Sequence, residues 1–257
     1  MPPQANIYDY PEYYDLVYGS DWKAEYDFLL ACFDRYLAGK PKRIFEPACG
    51  TGRLLYRLGN AGYTVSGNDL NRKSIDFCNK RLADHGLPEL AFVGDMSDFT
   101  IDEPVDVGFN MINSFRHLPT ESQAVSHLKC MRNAIADGGL YILGLHLSPL
   151  VGETCDEESW TATDDGLSIT SRLGLVKRNL AARYEEYAMS YEIESLDDST
   201  KITDQLKFRT YTAEQFETLV DSSGFEIEAV HDFSCDIDFS FFLNERIEDA
   251  VFILRAV

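Results

Sequence analysis

The decapeptide Ile44-Phe-Glu-Pro-Ala-Cys-Gly-Thr-Gly-Arg53 decides the fold of this chain. It predicts a short apolar strand that ends at an acidic residue, Glu46, and passes through a glycine turn into a helix. Gly50 and Gly52 let the backbone come close to a ligand, because a Cβ at either position would collide with it. In open α/β sheets such a turn lies at the crevice that holds nucleotide-like ligands.

Strands and helices alternate on both sides of this turn. The pattern predicts strands over 43–46, 64–68, 90–93, 105–112 and 140–147, with helices over 52–61, 74–84 and 122–136. A capping box at Thr212 starts a further helix, and two strands over 225–233 and 249–256 close the chain. We therefore predict a Rossmann-like α/β fold whose seven-stranded, mostly parallel sheet has helices on both faces.

Residues 160–211 break this alternation, because apolar and polar residues there repeat with a period of two. The period predicts an antiparallel β insertion with one solvated face. We expect a single domain, 1–257, with an N-terminal helical lid (1–39), a cofactor-binding core (40–150), the insertion (151–211) and a closing helix and strand pair (212–257). The insertion is expected to be a substrate cover or a dimer surface, so a homodimer is one prediction.

The chain has 257 residues and a formal net charge of -20, from 23 basic and 43 acidic residues. Such a field repels phosphate backbones, so nucleic acid is not expected as a partner, and it attracts cations and amines. Plain solubility is the alternative explanation of the charge.

The six cysteines are scattered without a C-x-x-C pair, so neither a metal site nor a disulfide framework is predicted. The N-terminus lacks a signal-peptide pattern, and no apolar run approaches the ~20 residues of a membrane span. We expect a cytoplasmic protein without a membrane partner.

Acidic residues recur where the next two strands end. Asp69 follows the second strand and Asp95 the third, so three carboxylates with Glu46 are expected at one edge of the sheet. A dinucleotide fingerprint, G-x-G-x-x-G, would require a third glycine at position 55, which is Leu55. A nicotinamide-dependent oxidoreductase is therefore the less favoured alternative.

The same residues resemble the class I S-adenosylmethionine-dependent methyltransferases, whose first motif is acid-x-G-x-G-x-G. Here Ala48 replaces the first glycine. Residues 65–70 resemble the strand whose final acid binds the ribose hydroxyls, and 93–96 resemble the motif that contacts adenine. The resemblance covers about residues 40–147 and implies S-adenosylmethionine as the cofactor. The core residues it implies for binding are Glu46, Ala48, Gly50, Gly52, Arg53, Asp69, Leu70, Asp95, Met96 and Met111.

The segment Tyr13-Tyr14-Asp15-Leu-Val-Tyr18 resembles the lid helix of small-molecule methyltransferases, including glycine and amino-sugar N-methyltransferases. This resemblance implies that Tyr14, and less closely Trp22, cover the cofactor. An aromatic face stabilises a positive charge such as a sulfonium by roughly 0.5–2 kcal/mol.

Methyl transfer from a sulfonium requires alignment and exclusion of water, and it requires a base only when the acceptor is protonated. His117 is the leading candidate base, because imidazole titrates near neutral pH and because it resembles a His or Tyr position in small-molecule N-methyltransferases. A packing role for His117 is the alternative, and His146 is the second candidate.

The predicted acceptor is a small molecule, through nitrogen rather than oxygen. The insertion residues expected to line its site are Arg172, Tyr184, Tyr187 and Tyr191. A non-catalytic protein that binds S-adenosylmethionine is a further alternative.

Overall fold

The structure, a computed structural model, describes residues 6–111, 113–152, 154–196 and 198–257. The predicted end of the fourth strand at Ile112 and part of a predicted turn at Asp197 lie outside these residues. In chain order the helices are α1 (Pro11–Gly19), α2 (Lys23–Tyr36), α3 (Leu55–Asn60), α4 (Arg72–Asp84), α5 (Glu121–Ala134) and α6 (Ala213–Asp221).

The strands, in chain order, are β1 (Arg43–Pro47), β2 (Thr64–Asp69), β3 (Ala91–Val93), β4 (Val105–Asn110), β5 (Ile135–His146), β6 (Glu157–Asp164), β7 (Leu167–Asn179), β8 (Tyr184–Glu194), β9 (Ser199–Arg209), β10 (Phe225–His231) and β11 (Asp249–Ala256). Seven of them form a central sheet in the order β10-β11-β5-β4-β1-β2-β3. β1 to β5 pair in parallel, and β11 runs antiparallel to β5 and β10. The predicted Rossmann-like fold is confirmed.

Helices cover both faces of the central sheet. On one face α5 and α6 bury Leu128 and Phe216 against it. On the other face α2, α3 and α4 bury Phe28, Leu58 and Leu82. This double cover explains why nearly every residue of β1 and β4 is buried, since a strand with helices on both sides has no solvated face.

The boundaries of two predicted elements are wrong. The first core helix begins at Leu55 rather than at Gly52, because Gly50 and Gly52 have left-handed φ values of 53° and 68° that no α-helix contains. The helix predicted over 122–136 ends at Ala134, and β5 begins at once with Ile135 paired to Val105.

The insertion is a separate four-stranded antiparallel sheet in the order β6-β7-β8-β9. Three of its strands match the predicted runs, whereas β6 was not predicted because most of its residues are exposed and show little alternation. The insertion packs against α1 through a third apolar core that includes Val17, Ile169 and Met189. The lid and the insertion therefore bury each other's apolar surface.

A buried ion network fixes the insertion to the central sheet. The Arg116 guanidinium, from the 3-10 turn Ser114–His117 after β4, pairs with the Glu185 carboxylate of β8, and both side chains are buried. Arg178 Nε donates to the other Glu185 oxygen at 2.6 Å, and Arg116 Nε donates to the Arg209 carbonyl at 3.0 Å. Burial alone would raise the pKa of Glu185, but the two guanidinium groups lower it.

None of the helices in the described part of the chain combines the length and the apolar character needed to cross a membrane.

We expect Arg116→Met to lower the free energy of unfolding by about 3 kcal/mol, because it removes one partner of a buried ion pair. Arg172→Met is the matched control. It removes an arginine of the insertion, in β7, that pairs with Glu192 at 2.5 Å where both side chains are partly exposed, and it should cost less than about 1 kcal/mol. Urea unfolding measures both changes, and equal losses would contradict the anchoring role of Arg116.

Candidate active site

A cavity of about 860 Å³ lies over the carboxyl ends of the central strands. Its floor is formed by residues that end or follow the first five strands: Ala48, Gly50, Asp69, Leu70, Met96, Met111, Asn113 and His146. The lid adds Tyr8, Tyr14 and Tyr18, and the insertion adds Trp160, Tyr187, Met189 and Phe208. The cavity is therefore lined by the central sheet, the lid and the insertion.

The glycine turn forms one end of the cavity. Ala48, Gly50 and Gly52 all have left-handed backbone conformations, with φ values of 52°, 53° and 68°. Ala48 therefore keeps the backbone conformation that glycine adopts easily, at a cost of roughly 1–2 kcal/mol. A Cβ on Gly52 would lie 2.4 Å from the buried Cys78 Sγ of α4, so this glycine is required for the turn to pack on α4.

Asp69, at the end of β2, is held directly beside this turn. Its carboxylate oxygens accept hydrogen bonds from the Gly50 N–H at 3.0 Å and the Asn71 N–H at 2.8 Å. Burial raises the pKa of Asp69, and the two backbone donors oppose that rise. Each carboxylate oxygen has a further lone pair, so the group can accept hydrogen bonds from two neighbouring hydroxyls of a ligand.

Beyond Asp69, Gly94 and Met96 form the wall that follows β3. Asp95 does not line the cavity; its carboxylate accepts from the Ser97 N–H at 2.7 Å and the Ser97 hydroxyl at 2.8 Å. The Met96 carbonyl accepts from His127 Nδ1 at 2.8 Å. Burial lowers the pKa of His127 to about 4, so this histidine is a neutral structural support.

Glu46, Gly52 and Arg53 lie one layer below the cavity. Arg53 Nη2 donates to Glu25 Oε2 at 2.5 Å, and Glu25 reaches the cavity wall. Burial raises the pKa of Glu46 well above its ordinary value. Glu46 Oε2 and Arg53 Nη1 are buried without a hydrogen-bond partner among the described residues, and such atoms commonly await a water or a ligand.

Tyr14 packs directly on the turn, since a Cβ built on Gly50 would lie 3.3 Å from its ring. Asp15 fixes α1 in this position, because it accepts from the Thr51 hydroxyl at 2.7 Å and from Arg81 Nη1 at 2.8 Å. This anchor was not predicted as functional, although Asp15 stands inside the quoted lid motif. Trp22 does not line the cavity and instead stacks on Arg57, whose guanidinium lies 4.0 Å from its ring centre.

His117 lines the opposite end of the cavity. Its ring faces the cavity, with Phe208 at 4.8 Å between ring centres and the Tyr8 hydroxyl 3.5 Å from Nε2. Burial, with a smaller contribution from the Arg116 charge, lowers the pKa of His117 to about 4. His117 is therefore a neutral imidazole at pH 7.

At this end of the cavity, the prediction from the sequence missed some lining residues and included others that do not line it. Of the four insertion residues predicted to line it, only Tyr187 does; Arg172, Tyr184 and Tyr191 do not. Phe208 lies on the buried face of β9, so the alternation of that strand could have identified it. His146 Nδ1 lies 2.8 Å from Asp249 Oδ1, a pairing across two strands that no local pattern indicates.

Comparisons with known proteins find similarity to methyltransferases. Residues 44–139 match a family described as a methyltransferase domain. The putative methyltransferase YqeM of Bacillus subtilis (strain 168) is 23% identical over 189 residues, which cover 73% of this chain and 75% of that protein.

Two solved structures share the fold over nearly their whole length. Streptomyces venezuelae DesVI superposes with a TM-score of 0.79 at 15% identity, covering 98% of this chain and 99% of its own. The S-adenosylmethionine-bound amino pentose methyltransferase CalS10 of Micromonospora echinaspora superposes with a TM-score of 0.75 at 16% identity, covering 97% of each chain.

Residues 44–139 are thus similar to a methyltransferase domain, and the fold and the glycine turn agree with a class I S-adenosylmethionine-dependent methyltransferase. The domain match indicates an enzyme, and the structural neighbour CalS10 binds S-adenosylmethionine. The left-handed turn and the carboxylate of Asp69 fit that cofactor, whereas the position of a third dinucleotide glycine is the fully buried Leu55. The nicotinamide alternative is thereby set aside.

We expect Gly52→Ala to weaken S-adenosylmethionine binding by about tenfold or more, equivalent to about 1.4 kcal/mol, because its Cβ would push the turn away from Cys78. Gly62→Ala is the matched control, since Gly62 also has a positive φ but a Cβ there would meet nothing within 4 Å. Calorimetric titration measures both affinities. Equal affinities in the two variants would show that the turn tolerates the side chain.

Proposed function

We propose that the enzyme transfers a methyl group from S-adenosylmethionine to an amine nitrogen of a small molecule. The observation that carries this proposal is the covered cavity, which is lined by the turn and Asp69 and also by a wall of carboxylates and aromatic rings. The lid and the insertion cover it from two sides. A cavity of about 860 Å³ suits a cofactor with a compact acceptor better than a folded protein substrate.

At the cofactor end, the geometry supports a role for each predicted residue that faces the cavity. The Asp69 carboxylate is proposed to accept hydrogen bonds from the ribose hydroxyls. Leu70 and Met96 would contact the adenine, and Ala48 and Gly50 would let the backbone approach the cofactor. Tyr14 and Met111 are proposed to flank the methionyl part, where the Tyr14 ring faces the positive sulfur.

The residues below the cavity are proposed to act on the cofactor less directly. Arg53 holds Glu25 at the cavity wall. Its Nη1 has no hydrogen-bond partner among the described residues and is proposed to attract the carboxylate of the cofactor. Glu46 and Gly52 shape the turn, and Asp95 fixes the wall that carries Met96 through its bonds to Ser97. Trp22 is proposed to support the lid through its stacking on Arg57.

The cofactor supplies an electrophilic methyl group on a sulfonium. The protein's own residues have to hold an acceptor in line with it and exclude water, and each of these lowers the barrier through orientation rather than through a covalent intermediate. Tyr8, Tyr14 and Tyr18 form an aromatic cover of tilted rings with centroid separations of 5.4 and 4.7 Å, and this cover is proposed to keep solvent from the methyl group.

The charges at the acceptor end favour a cationic amine. Glu158, Glu248 and Asp249 contribute carboxylates to the wall. The guanidinium groups of Arg116 and Arg178 also line it, but both are ion-paired with Glu185. A phosphate or carboxylate on the acceptor would have to compete with Glu185 for these arginines. The amino pentose that CalS10 methylates is a small amine of the favoured kind.

The remaining predictions from the sequence stay predictions. They are oxygen as the alternative acceptor atom, His117 as a base, a homodimer and a cytoplasmic location. The insertion is proposed as a substrate cover, because six of its aromatic and apolar side chains face the cavity: Trp160, Leu173, Tyr187, Met189, Leu206 and Phe208.

We expect Asp69→Asn to weaken S-adenosylmethionine binding by about 1.5–3 kcal/mol, roughly a tenfold to hundredfold loss, because an amide replaces a charged acceptor. Asp106→Asn is the matched control. Asp106 also accepts from two backbone N–H groups, those of Lys42 and Arg43, but it lies at the opposite edge of the sheet. If calorimetry gives both variants the same affinity, the ribose assignment of Asp69 is wrong.

The reaction is tested with paired amines and alcohols: glucosamine with glucose, galactosamine with galactose, and cyclohexylamine with cyclohexanol. We expect mass spectrometry to detect methylated product from at least one amine and from none of the alcohols, because the carboxylates of the wall attract an ammonium group. Methylation confined to the alcohols would replace nitrogen by oxygen. Methylation of neither set would contradict the proposed acceptor class.

A further inference from the structure

A histidine and an aspartate form a hydrogen-bonded pair at the acceptor end of the cavity. His146 is the last residue of β5, and Asp249, the first residue of β11, lies directly opposite it in the antiparallel register. His146 Nδ1 lies 2.8 Å from Asp249 Oδ1, and both residues line the cavity.

The backbone of this histidine is also fixed. The His146 N–H donates to Asn113 Oδ1 at 3.0 Å, and the ring packs edge-on against Phe233 at 5.0 Å. Asn113 itself lines the cavity next to Ser114. The ring is therefore held in place by β11, by the loop after β4 and by the loop after β10.

The pairing fixes which nitrogen of His146 carries the proton. A carboxylate only accepts hydrogen bonds, so Nδ1 must donate to Asp249. In the neutral ring Nε2 then keeps its lone pair, and a protonated ring is stabilised by the adjacent carboxylate. This arrangement of an oriented imidazole is the one that general-base catalysis requires.

His117 lacks these features. Its neighbours at close range are Phe208, Tyr8 and Arg116, and burial lowers its pKa to about 4. A group with so low a pKa accepts a proton from an ammonium poorly, because efficient bases titrate near the working pH. His117 is better suited to accept a hydrogen bond from the acceptor.

The other charged groups that face His146 are acidic or already paired. Glu248 precedes Asp249, lines the cavity and accepts weak hydrogen bonds from the Cys155 N–H at 3.3 and 3.4 Å. Burial and the nearby Asp249 charge raise the pKa of Glu248. Arg178, the nearest cation on the insertion, is held by Glu185 and Asp156. The groups around His146 are thus mainly acidic, and they attract an ammonium group.

We propose that His146, oriented by Asp249, takes the proton from the acceptor ammonium before methyl transfer, an inference that rests on the proposed function. The ammonium loses one proton to Nε2, which leaves a neutral amine and an imidazolium beside the Asp249 carboxylate. The amine lone pair then forms the C–N bond while the methyl–sulfur bond breaks and its electron pair stays on sulfur. The imidazolium afterwards releases its proton to water.

The pairing itself is tested by nitrogen-15 NMR of labelled histidine in the full chain with S-adenosylhomocysteine bound. We expect neutral His146 to carry its proton on Nδ1, and we expect Asp249→Asn to raise the fraction protonated on Nε2, because a neutral amide is a weaker acceptor than a carboxylate. Protonation of the wild type on Nε2, or an unchanged fraction in the variant, would overturn the inference without touching the methyltransferase assignment.

The proton transfer is tested by the pH dependence of kcat/KM, with whichever of glucosamine, galactosamine and cyclohexylamine the enzyme methylates. At pH 7 we expect His146→Gln to lose about a hundredfold and Asp249→Asn about tenfold. Both losses should shrink to about threefold or less at a pH where the free amine predominates, since no proton then has to be removed. His85→Gln, which alters a histidine on the surface beside Tyr56, is the control and should behave as the wild type.

The outcomes separate the two proposals. A loss in His146→Gln that is constant with pH would mark a structural role and overturn the inference, as would a pH-dependent loss found in His117→Gln instead. Failure of the wild type to methylate any of the three amines would contradict the proposed function, and the proton-accepting role would fall with it.

Discussion

The left-handed turn between β1 and α3 is the constraint on which the rest of the site depends. Gly52 packs against Cys78 of α4, and Gly50 donates its N–H to Asp69 at the end of β2. One short stretch of backbone therefore sets the positions of two strands and two helices. The lid is fitted to the same turn, because Tyr14 packs on Gly50 and Asp15 accepts from Thr51.

The cavity is closed by two elements that stabilise each other. The lid helix α1 and the insertion share the apolar core around Val17 and Met189, and the Arg116–Glu185 pair ties the insertion to the loop after β4. A buried ion pair contributes little net stability when compared with apolar residues, but it fixes relative position well. This arrangement suits a cover whose task is to hold an acceptor in line and keep out water.

Local patterns in the sequence were sufficient for the central sheet and for the turn and carboxylate that lie at its edge. The alternation of strands and helices, the glycine turn and the acid of Asp69 depend on residues close together in the chain, so their spacing records them. The predicted start of α3 was wrong because Gly50 and Gly52 adopt left-handed conformations, which the spacing of residues does not reveal. The strand β6 was missed because its exposed residues lack the apolar period that reveals a half-buried strand.

The sequence by itself determined the Rossmann-like fold and the edge of the sheet at which the glycine turn and Asp69 meet, because parallel strands bring their carboxyl ends together whatever the details of packing. Only the tertiary structure decided which side chains face the acceptor. Asp249 lies beside His146 across 103 residues because β11 pairs antiparallel with β5, and Phe208 reaches His117 because β9 packs on the loop after β4. Such pairings arise from long-range strand register and packing, which no local spacing records.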